Sequence, residues 1–199
     1  MRWTRWMGFV IVTCALAAAI VSISCTKTPP APLSDGTANK LERGKYLVAV
    51  TGCNDCHTPG TLFGAPDTTR LLSGSELGWQ GPWGVTYARN LTPDEETGIG
   101  KWSEADIVNT IRTGQRPDKT PLLPPMPWTD FANFSDDDAY AVAAYLKSVP
   151  PVKHKVPDAL HPGVKATGSI IVFPPPSAWD AQNLPPPPGA DTSGHGAGH

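Results

Sequence analysis

Charge is scarce in this chain: 17% of its 199 residues are Asp, Glu, Lys or Arg, and 16 basic against 18 acidic side chains leave a formal net charge of −2. There is no basic run, which excludes the electrostatic footprint of a nucleic-acid binder. Cysteine, with 4 residues, and methionine, with 3, are rarer still. A catalytic carboxylate pair, a nucleophile beside its base and a glycine-rich phosphate loop are all missing, so no enzyme activity is read from the sequence. Hydrophobic residues make up 40%, part of them in one N-terminal block. That leaves one modest core and excludes a large two-domain enzyme. Present in excess are 23 Pro and 19 Gly, well above the ordinary shares of roughly 5% and 7%.

Arg2 and Arg5 precede residues 7–23, an uncharged stretch whose only weakly polar members are Thr13, Cys14 and Ser22. A positive region followed by an apolar block reads as a secretory signal, and its length also reaches the short limit, roughly 17 residues, of a membrane-spanning anchor. Ser24-Cys25 and the Thr-Lys-Thr-Pro-Pro that follows resemble the processing site of bacterial lipoproteins, with Ser22 where that site usually has Leu. Cys25 is the lipidation candidate. Both readings, signal peptide or N-terminal helix anchor over 1–24, place the rest outside the cytoplasm beside a membrane.

Residues 25–39 are Pro-rich and polar and read as a tether. A folded domain is expected over 40–157. Leu41, Lys45, Val48 and Ala49 predict a short amphipathic helix ending near Gly52. Ser-Glu-Ala-Asp from Ser103 is a near capping box ahead of Ile107, Val108 and Ile111, with Gly114 as the stop. Ser135 and the acids at 136–138 cap a third helix carrying Tyr140, Val142, Tyr145 and Leu146, ended by Pro150-Pro151. The stretch 58–101 is long, rich in Gly and Trp, and without its own hydrophobic repeat, which predicts packing against something other than protein. Residues 158–199 form a Pro/Gly-rich extension, expected to be disordered at least from 185, with one apolar piece at 169–173 that docks back.

Cys53-Asn54-Asp55-Cys56-His57 is a C-x-x-C-H sequence, the attachment signature of c-type haem. Two thiols one helical turn apart add to the vinyl groups of one porphyrin, and the adjacent imidazole reaches the iron. A redox dithiol or half a zinc site shares the pattern. Zinc needs a second ligand pair, and the other cysteines, Cys14 and Cys25, lie in or at the edge of the leader; a thioredoxin-like motif needs a βαβ context. The opposite face of the iron decides between carrier and catalyst. Met126 is the one methionine outside the leader, set in the stiff segment Pro124-Pro125-Met126-Pro127-Trp128. Met126 as a core gap-filler, or His154, His161, His195 or His199 as ligand, are the alternatives.

From about Leu41 to Pro157 the chain resembles a monohaem class I cytochrome c of the membrane-associated bacterial type, and is similar to single haem domains of the cytochrome subunits of periplasmic alcohol and sugar dehydrogenases. The residues that carry the resemblance are Gly44-Lys45-Tyr46; the C-x-x-C-H with Thr58-Pro59-Gly60; Asn90-Leu91-Thr92-Pro93-Asp94; Thr97-Gly98-Ile99-Gly100 with Trp102-Ser103; Pro125-Met126-Pro127-Trp128; and Ala143-Ala144-Tyr145-Leu146 with Pro150-Pro151-Val152. The resemblance implies an all-α class I cytochrome c fold whose long loops wrap one covalent haem c held by Cys53 and Cys56, with His57 and Met126 as iron ligands. It also implies Gly44 in close contact with an aromatic such as Tyr145, the Pro59 carbonyl orienting His57, and Arg89, Asn90 and Trp102 lining the propionate edge. Arg112 and Arg116 are further propionate candidates, and Trp79, Trp83, Trp102 and Trp128 are expected as pocket walls. A single C-x-x-C-H excludes a wire of several haems within the chain. The expected function is one-electron transfer between membrane-associated redox partners. A haem enzyme or gas sensor with an open sixth position, and a fixed haem subunit of a larger redox complex, are the alternatives.

Overall fold

The computed structural model describes residues 36–180. The expected leader, Cys25, most of the tether, and the tail with His195 and His199 lie outside the described residues.

Among the described residues five α-helices carry the fold: α1 (Thr37–Val50), α2 (Cys53–His57), α3 (Glu104–Thr113), α4 (Trp128–Phe131) and α5 (Asp136–Ser148). The three long ones stand where apolar periodicity and caps predict them. At α3 the capping box is reciprocal: Ser103 Oγ accepts from the Asp106 N–H at 3.1 Å, and the Asp106 carboxylate accepts from the Ser103 N–H at 2.9 Å. Gly114, at φ 69°, takes the left-handed turn that ends it. Ser135 caps α5 through the Asp138 N–H at 3.1 Å, and the three acids of its first turn suit the positive end of the helix dipole. α1 begins at Thr37, inside the stretch expected as tether, because no proline lies between Pro32 and the helix and the Lys40 N–H bonds the Gly36 carbonyl at 3.0 Å. Among the described residues no helix is long and apolar enough to cross a membrane.

α1 and α5 cross at Gly44. A Cβ there would run into the Ala141 carbonyl and stand 2.7 Å from Tyr145 Cβ, so only hydrogen fits and the backbones close together as expected. Val48, Leu47, Ile107, Ala139, Ala143 and Leu146 are buried around this crossing. Arg43 grips Asp138 with two bonds, 2.8 and 3.2 Å, on its flank. Lys147, in the last turn of α5, donates to the Gly100 and Trp102 carbonyls at 2.6 and 2.8 Å and ties down the loop that leads into α3.

The stretch 58–101 has more structure of its own than expected. It forms an antiparallel hairpin, β1 (Gly78–Gly81) and β2 (Gly84–Tyr87), and the apolar piece of the extension docks on it as β3 (Ile170–Val172), parallel to β1, in the order β2-β1-β3. Leu160 bridges Val85 across the other edge with both backbone bonds at 2.9 Å. This small sheet builds a second core of Val85, Tyr87 and Val156. Trp79 and Trp83, expected as pocket walls, pack instead on Phe173 of the extension, at ring distances of 6.2 and 5.3 Å. The hairpin needed an apolar cover, and the extension supplies it.

Gly44→Val is expected to cost about 3 kcal/mol, because rigid backbone and not a side-chain tip meets the added atoms. Equilibrium unfolding in guanidinium chloride measures it.

Candidate haem attachment site

Thr51 ends α1 by returning both its N–H and its hydroxyl to the Leu47 carbonyl, at 2.9 and 2.8 Å, and Gly52 at φ 72° turns the chain into the five-residue α2. That short helix holds the whole C-x-x-C-H. Cys53 and Cys56 are free, half-buried thiols one turn apart. Burial pushes both above their ordinary pKa, which is the reverse of an activated redox dithiol. Among the described residues no three His, Cys, Asp or Glu side chains converge as a metal cluster, so the pair lacks the partners a structural zinc site needs.

His57 is buried, with 9% of its surface exposed. Its Nδ1 lies 2.6 Å from the Arg89 carbonyl, an acceptor only, so Nδ1 carries the proton and donates. Burial pushes the ring below its ordinary pKa against the pull of that carbonyl, which keeps it neutral. Nε2 makes no hydrogen bond to any described residue, and its lone pair is available to a metal. A neutral imidazole with one nitrogen committed and the other free, next to two unpaired thiols, is the donor set that a covalent haem requires. The residues present fit the group.

The orienting carbonyl is not that of Pro59. The Pro59 oxygen accepts from the Asp67 N–H at 2.9 Å, closing the turn that folds residues 59–67 back on themselves, and so is already engaged. Backbone acceptors leave no side-chain signal, and nothing in the sequence distinguishes the Arg89 carbonyl from its neighbours.

Met126 sits half-buried between α3 and α4, after a cis Pro124–Pro125 peptide bond. Thr86 Oγ1 donates to the Pro124 carbonyl at 2.8 Å, and the Leu122 N–H reaches Gly114 O at 2.6 Å. The four residues 86–89 therefore fasten both the Met126 segment, through Thr86, and the His57 ring, through Arg89. Of the rival ligands, His154 has both ring nitrogens engaged, by Ser73 O and Glu76, each at 2.8 Å, and His161 is exposed.

A family model described as cytochrome c matches residues 41–150. The chain belongs to the cytochrome c family. It is 38% identical over 130 residues to a subunit of the nicotinate dehydrogenase of Pseudomonas putida, covering 65% of this chain and 10% of that protein. It is 34% identical over 148 residues to the cytochrome c subunit of the quinone-linked alcohol dehydrogenase of Gluconobacter oxydans, covering 73% and 29%. A diheme c-type cytochrome of Cereibacter sphaeroides is 29% identical over 151 residues, covering 76% and 50%. The chain thus spans a tenth to a half of these relatives. Membership implies covalently bound haem c and an electron-transfer component rather than a catalyst, and the helix-dominated fold with few strands is that of class I.

The polar residues around the site of this cytochrome c divide into two groups. Asn90 is 1% exposed and fully engaged by protein: Oδ1 accepts from the Thr92 N–H and hydroxyl at 2.9 and 2.7 Å, and Nδ2 donates to Val152 O at 2.7 Å and Thr97 Oγ1 at 3.1 Å. It is a knot between loops and has nothing left for a propionate. Trp102 packs against the helical core, and Arg112 is taken by Phe134 O and Asp136, at 2.9 and 2.7 Å. The two remaining arginines fit an anionic edge. Arg89 donates to Pro157 O at 3.1 Å and lies 3.6 Å from the exposed Asp158. Arg116 is half-buried in a loop of exposed neighbours and makes no side-chain ion pair or hydrogen bond among the described residues. Burial and the nearby Arg89 press its pKa down against the opposite pull of Asp118.

Asn90→Ala is expected to cost about 3 kcal/mol by stranding the groups it satisfies. Thermal unfolding followed in the far-ultraviolet measures it.

Proposed function

We propose that this chain is an exported, membrane-tethered carrier of single electrons, with one haem c attached through Cys53 and Cys56 and its iron held by His57 and Met126. The observation that carries the reading is the state of His57: Nδ1 committed to the Arg89 carbonyl at 2.6 Å, and Nε2 without a partner among the described residues, beside two free thiols. The bound group supplies a one-electron iron couple, whose potential Met/His ligation raises because a neutral thioether favours the ferrous state. The protein's part is to hold geometry. Arg89 O fixes the His57 ring, burial keeps that ring neutral, and Thr86 anchors the Met126 segment to the same strand end.

The single C-x-x-C-H of the sequence supports a count of one haem. Both ring nitrogens of His154 already have protein partners, which supports Met126 over His154 as the sixth ligand of a closed, six-coordinate carrier. Two of the relatives named above are subunits of dehydrogenases, so the donor or acceptor proposed here is a dehydrogenase or respiratory complex in the periplasm. An N-terminal anchor over residues 1–24, or a lipid on Cys25, concentrates the carrier at such a partner without adding a contact.

Oxidised and reduced absorption spectra, repeated under carbon monoxide, test the reading. The expected result is the weak far-red band of Met sulfur on ferric haem and no effect of carbon monoxide; a missing band with carbon monoxide bound means an open sixth position and a ligand-binding or catalytic haem. Met126→Ala is expected to keep the covalent haem, lose the band and lower the midpoint potential strongly. An unchanged potential removes Met126 as ligand.

A further inference from the structure

Just beyond the stretch that matches the family, His154 makes contacts that the proposed function does not use. Its Nδ1 is 2.8 Å from the Ser73 carbonyl and its Nε2 is 2.8 Å from the Glu76 carboxylate. Both partners are acceptors, so the two bonds exist together only when both ring nitrogens carry protons. Ser73 Oγ also lies near Nδ1, at 3.4 Å. A neutral ring keeps only one of the two bonds; with the proton on Nε2, Glu76 is kept, Nδ1 becomes an acceptor facing the Ser73 hydroxyl, and the Ser73 carbonyl is released.

That carbonyl belongs to the same peptide unit as the Gly74 N–H, and the Gly74 N–H donates to the carbonyl of His57 at 2.8 Å. A peptide unit is planar and rigid, and hydrogen bonds at its two ends polarise each other. The unit cannot drift: a Cβ at Gly74, which has φ 89°, would stand 2.8 Å from Ala88 O and 2.9 Å from the Arg89 carbon, and the Ser75 N–H is bound to Ala88 O at 3.0 Å. The Ser73–Gly74 peptide is thus wedged between His154 on one side and His57 with its Arg89 support on the other. The segment that carries His154 is pinned in turn, with Val152 O on Asn90, the His154 N–H on Thr97 and Pro157 O on Arg89.

We propose that His154 is a proton-linked positioning residue for His57, acting through the Ser73–Gly74 peptide so that the reduction potential of this cytochrome depends on the charge of His154. The inference rests on His57 being an iron ligand, as proposed above. The charged groups around the ring are Glu76, Arg70 on Glu76 at 3.2 Å, Asp67 on Arg70 at 2.8 Å, Lys153 paired with Glu96 at 2.6 Å, Lys155 beside it in the chain, and the Arg89–Asp158 pair. Burial opposes ionisation of Glu76, yet its own backbone N–H, His154 and Arg70 hold its carboxyl below the ordinary range, so a carboxylate faces the ring. Losing that positive charge favours the ferric state, which carries one more positive charge, so the potential falls as pH rises through the titration.

The test uses the haem-loaded full chain as wild type, His154→Gln and Glu76→Gln, with the midpoint potential recorded from pH 5 to 9 and the imidazole nitrogen shifts of residue 154 recorded in the wild type. The expected result is a wild-type ring with both nitrogens protonated at the acid end, a potential that falls with its deprotonation, loss of that step in His154→Gln, and an altered pH profile in Glu76→Gln. The second variant retains a hydrogen-bond acceptor at an exposed position. A purely structural role leaves the pH profile in place, so unchanged profiles in the variants, or a ring protonated on one nitrogen throughout, overturn the inference while haem c absorption still upholds the functional reading. Absence of haem c absorption in the wild type overturns that reading and this inference with it.

Discussion

The bond from His57 to the Arg89 carbonyl is the constraint on which the rest of this structure turns. A buried imidazole without it rotates freely and carries its proton on either nitrogen; with it, the ring has one orientation and one tautomer, and Nε2 is left as a donor. Holding that carbonyl in place needs Arg89 to be fixed. It is fixed by β2 before it, by the Asn90 knot after it, and by the Ser75–Ala88 contact beside it. The same strand end holds the Pro124 carbonyl, two residues before Met126, through Thr86.

Much of the frame was legible because it is local. Ser103 and Asp106, Ser135 and Gly114 are capping residues whose hydrogen bonds are made within a turn or two, so spacing along the chain is enough to find them. Gly44 was legible for a different reason, since the resemblance supplied its partner across α5. The C-x-x-C-H was legible because five consecutive residues contain the whole chemistry. Contacts between distant backbone groups were not: Pro59 and Arg89 both offer a carbonyl, and which one meets His57 depends on the turn over 59–67 consuming the first. Asn90 shows the same limit for a side chain. The family resemblance implied a propionate contact, whereas its side-chain polar atoms are used by Thr92, Thr97 and Val152.

The extension beyond the family stretch was undervalued by composition. Pro and Gly disfavour regular structure, and most of the segment 151–180 is irregular, yet it adds β3, covers Trp79 and Trp83 with Phe173, buries Val156, and brings His154 against Ser73. Irregular chain can pack closely where an existing edge and an apolar surface await it, and the β1–β2 hairpin offers both. The indoles of Trp79 and Trp83 are thereby committed to protein.

Covalent attachment at one place is the central claim, and mass spectrometry of the mature, purified protein followed by peptide mapping tests it most directly. The account predicts an intact mass higher by a single haem, carried by the peptide that contains Cys53 and Cys56, with neither thiol open to alkylation. A chain of unmodified mass whose Cys53 and Cys56 both alkylate contradicts it.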